Sequence, residues 1–271
     1  RLMVLNLETK KVRRITDGST WYSTSGGFDY AWSPDSKWFT LEFIGNKHDP
    51  YSDIGLVSAQ GNGEIINLTN SGYSSGSPSF ALDGNAILFT TERYGMRAHA
   101  SWGSLDDAML VFLNQDAYDK FSLSKEDYEL YKEANSDRKK VAAKDSSKVK
   151  DVVVELKNIE DRIVRLTPNS SNMGSTLISK DGKALYYLAS TESGRNLWKM
   201  DLNKKETKLL HKVDAGWTSL EMDKEGKTLF ILNGKNMQKM NLASDDLKPI
   251  KYLAQVKLDL SAEREYMFDH V

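Results

Sequence analysis

The sequence contains no cysteine. That removes disulfides, zinc–thiolate sites and cysteine nucleophiles, and leaves the compartment open. No stretch approaches the roughly 18 apolar residues that a membrane-spanning helix needs, so no membrane partner is expected. Excess charge of one sign is missing as well: 37 Lys and Arg against 38 Asp and Glu leave a formal net charge of −1. That gives no reason to expect nucleic acid as a partner. There is no Gly-rich phosphate loop. The four histidines, His48, His99, His211 and His270, show no H-E-x-x-H or other metal-ligand spacing. Neither a metal nor a cofactor is expected.

Both ends read as cut. The chain opens at Arg1 directly into RLMVLNL, with no initiator methionine and no signal peptide. It closes on SAEREYMFDHV, which reads as the first turns of a helix, with Ser261 as N-cap and Glu263 and Glu265 at the positive end of the dipole. Ala262, Tyr266 and Val271 begin an apolar face that does not complete. The expectation is an excised piece, with targeting signals and any catalytic domain elsewhere.

What is present is a repeat. The 271 residues, 39% hydrophobic and 28% charged, suffice for one or two domains with a core. A phrase recurs four times: AWSPDSKWFTLEF from Ala31, SFALDGNAILFTT from Ser79, LISKDGKALYYLA from Leu177 and EMDKEGKTLFILN from Glu221. Each is a strand, a tight turn at Asp-Gly or a relative of it, and a second strand. Asp35, Asp83, Asp181 and Glu225 share the turn position, at spacings of 48, 98 and 44 residues. Two of these match the roughly 40–50 residues of a four-stranded propeller blade, and the middle one is a blade plus an insertion.

The columns around the turn support that reading. Trp32, Phe80, Ile178 and Met222 precede it by three residues. Phe39, Ile87, Leu185 and Leu229 follow, then Leu41, Phe89, Tyr187 and Ile231 two residues on. The positions between them, Thr40, Leu88, Tyr186 and Phe230, are also largely apolar. Strands apolar on both faces are expected to be sandwiched between neighbouring sheets.

Outer hairpins follow as DIGLVSAQGNGEIINLT, NLWKMDLNKKETKLLHK and NMQKMNLASDDLKPIKY, and RLMVLNLETKKVRRIT at the start is the same phrase without its first half. The fold expected is therefore all-β: four-stranded β-propeller blades near 22–69, 73–167, 170–213 and 216–252, with a half blade at 1–18, as an incomplete ring. Residues 1–252 are read as the propeller and 253–271 as a linker and the start of a next, core domain. Residues 114–151 break the pattern. NQDAYDKF and SKEDYELYKEA read as short helices, and the charged run at 136–150 reads as an exposed, mobile excursion. It returns at VVVELKNIEDRIVRLT, expected to form an outer pair of strands. A plain β-sandwich is the alternative architecture.

Chemistry is sparse. Gly72, Tyr73, Ser74, Ser75 and Gly76 match G-x-S-x-G, but a nucleophile elbow needs a strand before the serine and a helix after it. Here a repeat strand follows, so no catalytic residue is assigned to the chain. In a propeller the first strand of each blade faces the axis. Asp29, Ser77, Ser175 and Ser219 stand three residues before the large apolar column and are small or acidic in every blade. With Ser79 they are the expected lining of a wide, polar channel. Crowding of inner strands at the axis would select small residues equally well.

The phrases WSPDSKWFTLEF and FALDGNAILFTT resemble the PD40-type repeats of TolB, the prolyl oligopeptidase group and the tricorn peptidases. Three segments single out the last group. ERYGMRAHASWGSLDDAMLVFLNQDAYDKF, from Glu92, looks like the tricorn propeller passage that leads into its insertion. VVVELKNIEDRIVRLTP, from Val152, is similar to its return strand, and VKLDLSAEREYMFDHV resembles the entry into the first core domain. The resemblance implies the non-catalytic propeller region of a tricorn-like serine peptidase, gating or guiding peptide substrates. It further implies catalytic core and PDZ domains in the same parent chain and a cytoplasmic setting; the sequence leaves a homo-oligomer and a periplasmic setting open. A TolB-like protein-binding propeller without an enzymatic partner domain, and the propeller of a prolyl-oligopeptidase-like enzyme, are the alternatives.

Overall fold

The computed structural model describes residues 1–19, 28–45, 50–61, 64–97, 103–135, 150–190, 194–215, 218–234, 236–253, 255 and 257–271. The repeated phrases fold into four four-stranded antiparallel sheets preceded by one two-stranded sheet. The half blade is β1 (Met3–Leu5) and β2 (Val12–Arg14). The first blade holds β3 (Tyr30–Trp32), β4 (Trp38–Phe43), β5 (Asp53–Ser58) and β6 (Ile66–Asn67). The second holds β7 (Ser75–Ala81), β8 (Ala86–Thr91), β9 (Asp107–Phe112) and β10 (Ile163–Arg165). The third is β11 (Asn172–Ile178), β12 (Ala184–Ser190), β13 (Arg195–Asp201) and β14 (Glu206–Ala215). The fourth is β15 (Thr218–Met222), β16 (Thr228–Asn233), β17 (Asn236–Asn241) and β18 (Leu247–Ile250). Strands run in sequence order from one edge of each sheet to the other, the arrangement of a β-propeller blade.

Apolar side chains on both faces of the strands fill one seam between each pair of neighbours. Leu2 and Ile15 of the half blade meet Phe39, Leu41 and Val57 of the first blade. Ile54, Leu56 and Leu68 then meet Ile87, Phe89 and Val111 of the second. Leu88, Leu110 and Phe112 meet Leu185, Tyr187 and Met200 of the third, and Tyr186, Leu188 and Leu197 meet Leu220, Leu229 and Ile231 of the fourth. The in-between column is buried at Thr40, Leu88 and Tyr186, as its apolarity predicts. Phe230 departs from it at 37% exposed, because among the described residues no further sheet covers the outer face of the fourth blade.

The turns between first and second strands are held by side chains. Ser33 accepts from the Trp38 backbone N–H at 2.9 Å and donates to Asp35, and Ser179 does the same with Ala184 and Asp181. In the fourth blade Asp223 replaces the serine and accepts from Lys227 and Thr228. Ala81 occupies that position in the second blade, and the turn there is a short 3-10 segment with Leu82, Asp83 and Gly84 all at positive φ. A side chain at Gly84 would lie 2.7 Å from Val152, so the return leg of the insertion requires glycine there as much as the backbone does.

The insertion contributes α1 (Gln115–Ser122), capped by Asn114, and α2 (Lys125–Ala134), capped by Ser124 as expected. The expected mobile run at 136–150 lies almost wholly outside the described residues. The return is not the expected pair of strands. Residues 152–156 have no ladder partner; they follow the rim, with the Val152 amide bonded to Asp35 and the Glu155 amide to the Leu113 carbonyl. Arg162 then donates to the carbonyls of Phe112, Lys157 and Glu155 before the single strand β10 pairs with β9. Near the other end, α3 (Leu260–His270) is capped by Asp259, not by Ser261: the Asp259 carboxylate accepts from the Ser261 and Ala262 amides. A carboxylate at that site satisfies two free N–H groups and meets the positive helix end, which a hydroxyl two residues later cannot do.

Candidate functional site: the axial cavity

The innermost strands β3, β7, β11 and β15 leave a cavity of about 870 Å³ on their axial side. Asp29, Ser77, Ser79 and Ser175 are among its lining residues, together with Thr90, Thr176, Asp106, Arg195 and the backbone of Gly174. Ser219 lies on β15, half-buried opposite Leu232, and is not among them.

Two of the serines are set by irregularities in their strands. The register of β7 against β8 shifts between Gly76 and Ser79, and that of β11 against β12 shifts between Met173 and Thr176. Ser77 sits in the first shift at φ 52°, which re-aims its side chain. Its hydroxyl donates to the Asp29 carboxylate of the first blade at 3.1 Å. Ser175 accepts from the Leu220 amide of the fourth blade, also at 3.1 Å. Both serines border the cavity, and both hydroxyls also join one blade to the next.

One mouth of the cavity is rich in carboxylates. Asp106 borders it and a smaller neighbouring cavity of about 280 Å³, which Glu42, Ser74, Thr90 and Glu92 also line. Burial first, then the charges of Glu92 and Asp107, push the Asp106 carboxyl up to about 6, with Arg195 opposing. Burial likewise raises Glu42; the Asp29 charge adds to this, and hydrogen bonds from Ser52 and the Asp29 backbone oppose it. Among the described residues no group of His, Cys, Asp and Glu is arranged to hold a metal ion.

Ser74 is no nucleophile elbow. The strand β7 begins at the next residue where a helix would be required, and the Ser74 carbonyl is tied to Thr91 and Glu92. His48 and His99 lie outside the described residues. His211 sits within β14, with Nε2 2.7 Å from the Asp245 carbonyl, and His270 stacks on Tyr266. Neither stands among the residues lining the axial cavity.

The outer hairpins carry a repeated device that the blade columns alone do not reveal. Thr16, Thr69 and Thr167 each accept from a backbone amide of the facing strand: Leu2 at 2.9 Å, Ile54 at 3.1 Å and Ala108 at 3.2 Å. Asp53 accepts from Thr69 and Asn67, and Asp107 from Thr167, Ser170 and Arg165. The signal was present as the shared endings Ile15-Thr16, Leu68-Thr69 and Leu166-Thr167.

Sheets ordered about an axial cavity make this chain a β-propeller region. No family model matches it, and no characterised protein matches it in sequence. Solved structures match it in fold. A tricorn protease superposes with a TM-score of 0.60 at 12% identity, over 92% of this chain and 24% of that one. A puromycin-hydrolysing peptidase of Mycobacterium tuberculosis gives 0.55 at 11% identity, over 90% of this chain and 31% of that one. A TolB from Agrobacterium tumefaciens, itself described as putative, gives 0.52 at 12%, over 82% and 63%. The chain thus spans about a quarter of the tricorn protease it resembles.

Proposed function

We propose that the chain is a non-catalytic propeller region of a tricorn-like serine peptidase and guides peptide substrates toward a catalytic core carried by other parts of the protein. The observation that carries this is the axial cavity: about 870 Å³, bordered by hydroxyls, backbone and both signs of charge, with apolar side chains such as Phe80, Met173 and Ile178 between them. An extended strand advances about 3.3 Å per residue, and a wall that mixes hydrogen-bonding groups with apolar side chains can meet both its backbone and its side chains. Two of the proteins matched in fold are peptidases by name, and in both the matched stretch is a minor part of the chain.

The test has two arms. Extended peptides bearing a photoreactive phenylalanine should cross-link to the 271-residue chain at Ser79 and Thr176, and should not be cleaved by it. In the longer protein, Ser79→Trp with Thr176→Trp should slow turnover of long peptides more than of dipeptide substrates. Cross-linking confined to the blade exteriors, or equal slowing of both substrate lengths, would reject the guiding role. Turnover by the chain alone that Ser74→Ala abolishes would reject the non-catalytic assignment.

A further inference from the structure

The axial cavity is electrically uneven. Asp29 and Glu42 of the first blade and Glu92 and Asp106 of the second border it or the smaller cavity beside it, and Thr90 and Asp106 border both. The backbone fixes three of these carboxylates at the starts of innermost strands. The Glu42 amide bonds to the carbonyl of Asp29, just before β3. The Glu92 amide bonds to that of Ser74, just before β7, and Asp106 is bridged to Ser171, just before β11.

Little positive charge meets them. Arg195 borders the axial cavity, and its guanidinium also donates to Asn172 at 2.8 Å. Arg93 lies over Tyr94, and Arg97 over Tyr51 and Tyr73; neither borders either cavity. By sequence, the segments 46–49, 98–102 and 191–193, outside the described residues, hold one lysine against one aspartate and one glutamate besides two histidines, so they do not reverse the balance. Glu42, Glu92 and Asp106 are half-buried. Ser171, 7% exposed and directly opposite Asp106 on the same face, has a buried hydroxyl with no hydrogen-bond partner among the described residues. Partly buried carboxylates without matching cations are costly to keep ionised, and Glu42 and Asp106 are both held above their ordinary values. A cation supplied by a ligand removes that cost.

We infer that this end of the cavity holds the cationic group of a lysine or arginine side chain on a peptide lying along the axis. The inference rests on the peptide-guiding reading and adds which peptides are favoured. The carboxylates take the charge, while the Thr90 hydroxyl and apolar neighbours such as Phe80 and Met173 meet the rest of the peptide. In a partly desolvated mouth such charge-assisted bonds are stronger and less screened than on an open surface. Glu221, exposed near the far end of β15, borders the same cavity away from this cluster and takes no part.

The probes are extended peptides blocked at both ends, identical except for one internal lysine or, in the control, norleucine, each bearing a photoreactive phenylalanine. With the 271-residue chain the lysine peptide should half-saturate at a concentration about tenfold lower, the scale of one charge-assisted hydrogen bond, and added salt should shrink the difference. Glu42→Gln with Asp106→Asn should bring the two peptides together, and Glu221→Gln should leave them apart, with urea unfolding as the check on folding. If the double variant unfolds, the single variants decide, each being expected to lose part of the difference. Equal binding of both peptides, with cross-links at Ser79 and Thr176, would overturn the cation site and leave the guiding role standing. Cross-linking by neither would remove both. A lysine preference that survives the loss of Glu42 and Asp106, or that Glu221→Gln abolishes, would also overturn the inference.

Discussion

The second and fourth blades are written in the same phrase and live in different surroundings. In the second, all six residues of β9 and five of six in β8 are buried, because sheets stand on both sides. In the fourth, β16 alternates: Leu229 and Ile231 are fully buried against the third blade, while Phe230 and Leu232 are 37% and 45% exposed. Apolarity on both faces of a strand thus states that both faces are shaped for a neighbour. It does not state that the neighbour lies within the same 271 residues.

Four measurements would break or sharpen that contrast. Leu110→Ala removes a side chain with no solvent exposure from the seam between the second and third blades. It should destabilise by about 2–5 kcal/mol in urea unfolding. Leu232→Ala on the open face should cost under about 1 kcal/mol, and equal losses would mean that the fourth blade is covered in solution.

The polar latch is the second test. Asp107 is fully buried and takes bonds from Arg165, Thr167 and Ser170, so Asp107→Ala should cost about 3 kcal/mol by leaving these donors unpaired. Asn236, at the corresponding place in the fourth blade, is exposed, and its replacement by alanine should shift the unfolding midpoint far less.

The third and fourth tests use acid–base linkage, with opposite signs in the two blades. Asp106 is held up to about 6 in the folded chain from an ordinary 3.8. The folded state therefore holds this proton more tightly than the unfolded state, and stability falls as pH rises from about 4 to 6. Asp106→Asn should remove that fall, gaining on the wild type through this window and keeping the gain at pH 7. Asp223 is lowered, first by the Thr228 amide and then by those of Lys227 and Gly226. Its contribution is present above the ordinary value of 3.8 and is lost as pH falls through the folded value. Asp223→Asn should therefore lose a little stability at pH 7 and converge with the wild type in acid. A shared sign for the two variants would mean that burial does not govern Asp106.

The blade pattern was legible because it repeats. Asp35, Asp83, Asp181 and Glu225 do mark four turns, and the apolar columns around them fill four seams. Position along the chain groups Asp29, Ser77, Ser79, Ser175 and Ser219; the first four border one cavity and Ser219 does not. It could not show that Ser77 and Ser175 bond to the adjacent blades, because those bonds depend on register shifts that no residue pattern announces. The valine-rich return after the insertion read as strands, yet 152–156 run along the rim. β-propensity gives extended backbone there, and geometry, not propensity, decides whether an edge is available. The carboxylate mouth was missed because Glu42, Glu92 and Asp106 come from separate strands and loops with no spacing in common.

The connection between β9 and β10 bears on how the chain assembles in time. β9 ends at Phe112 and β10 begins at Ile163, so 50 residues emerge between a fully buried strand and the partner for its outer edge. At synthesis speeds of about 5–20 residues per second, that edge waits roughly 3–10 s on a ribosome. A hydrophobic strand with unpaired N–H and C=O groups is the kind of template on which nascent chains stick to one another. The helices α1 and α2 follow directly in the order of translation, and Tyr118 and Phe121 of α1 rest on Phe112. The first of these helices can therefore cover the Phe112 side chain at the end of β9 before the strand's permanent neighbour exists, and it stays in place afterwards.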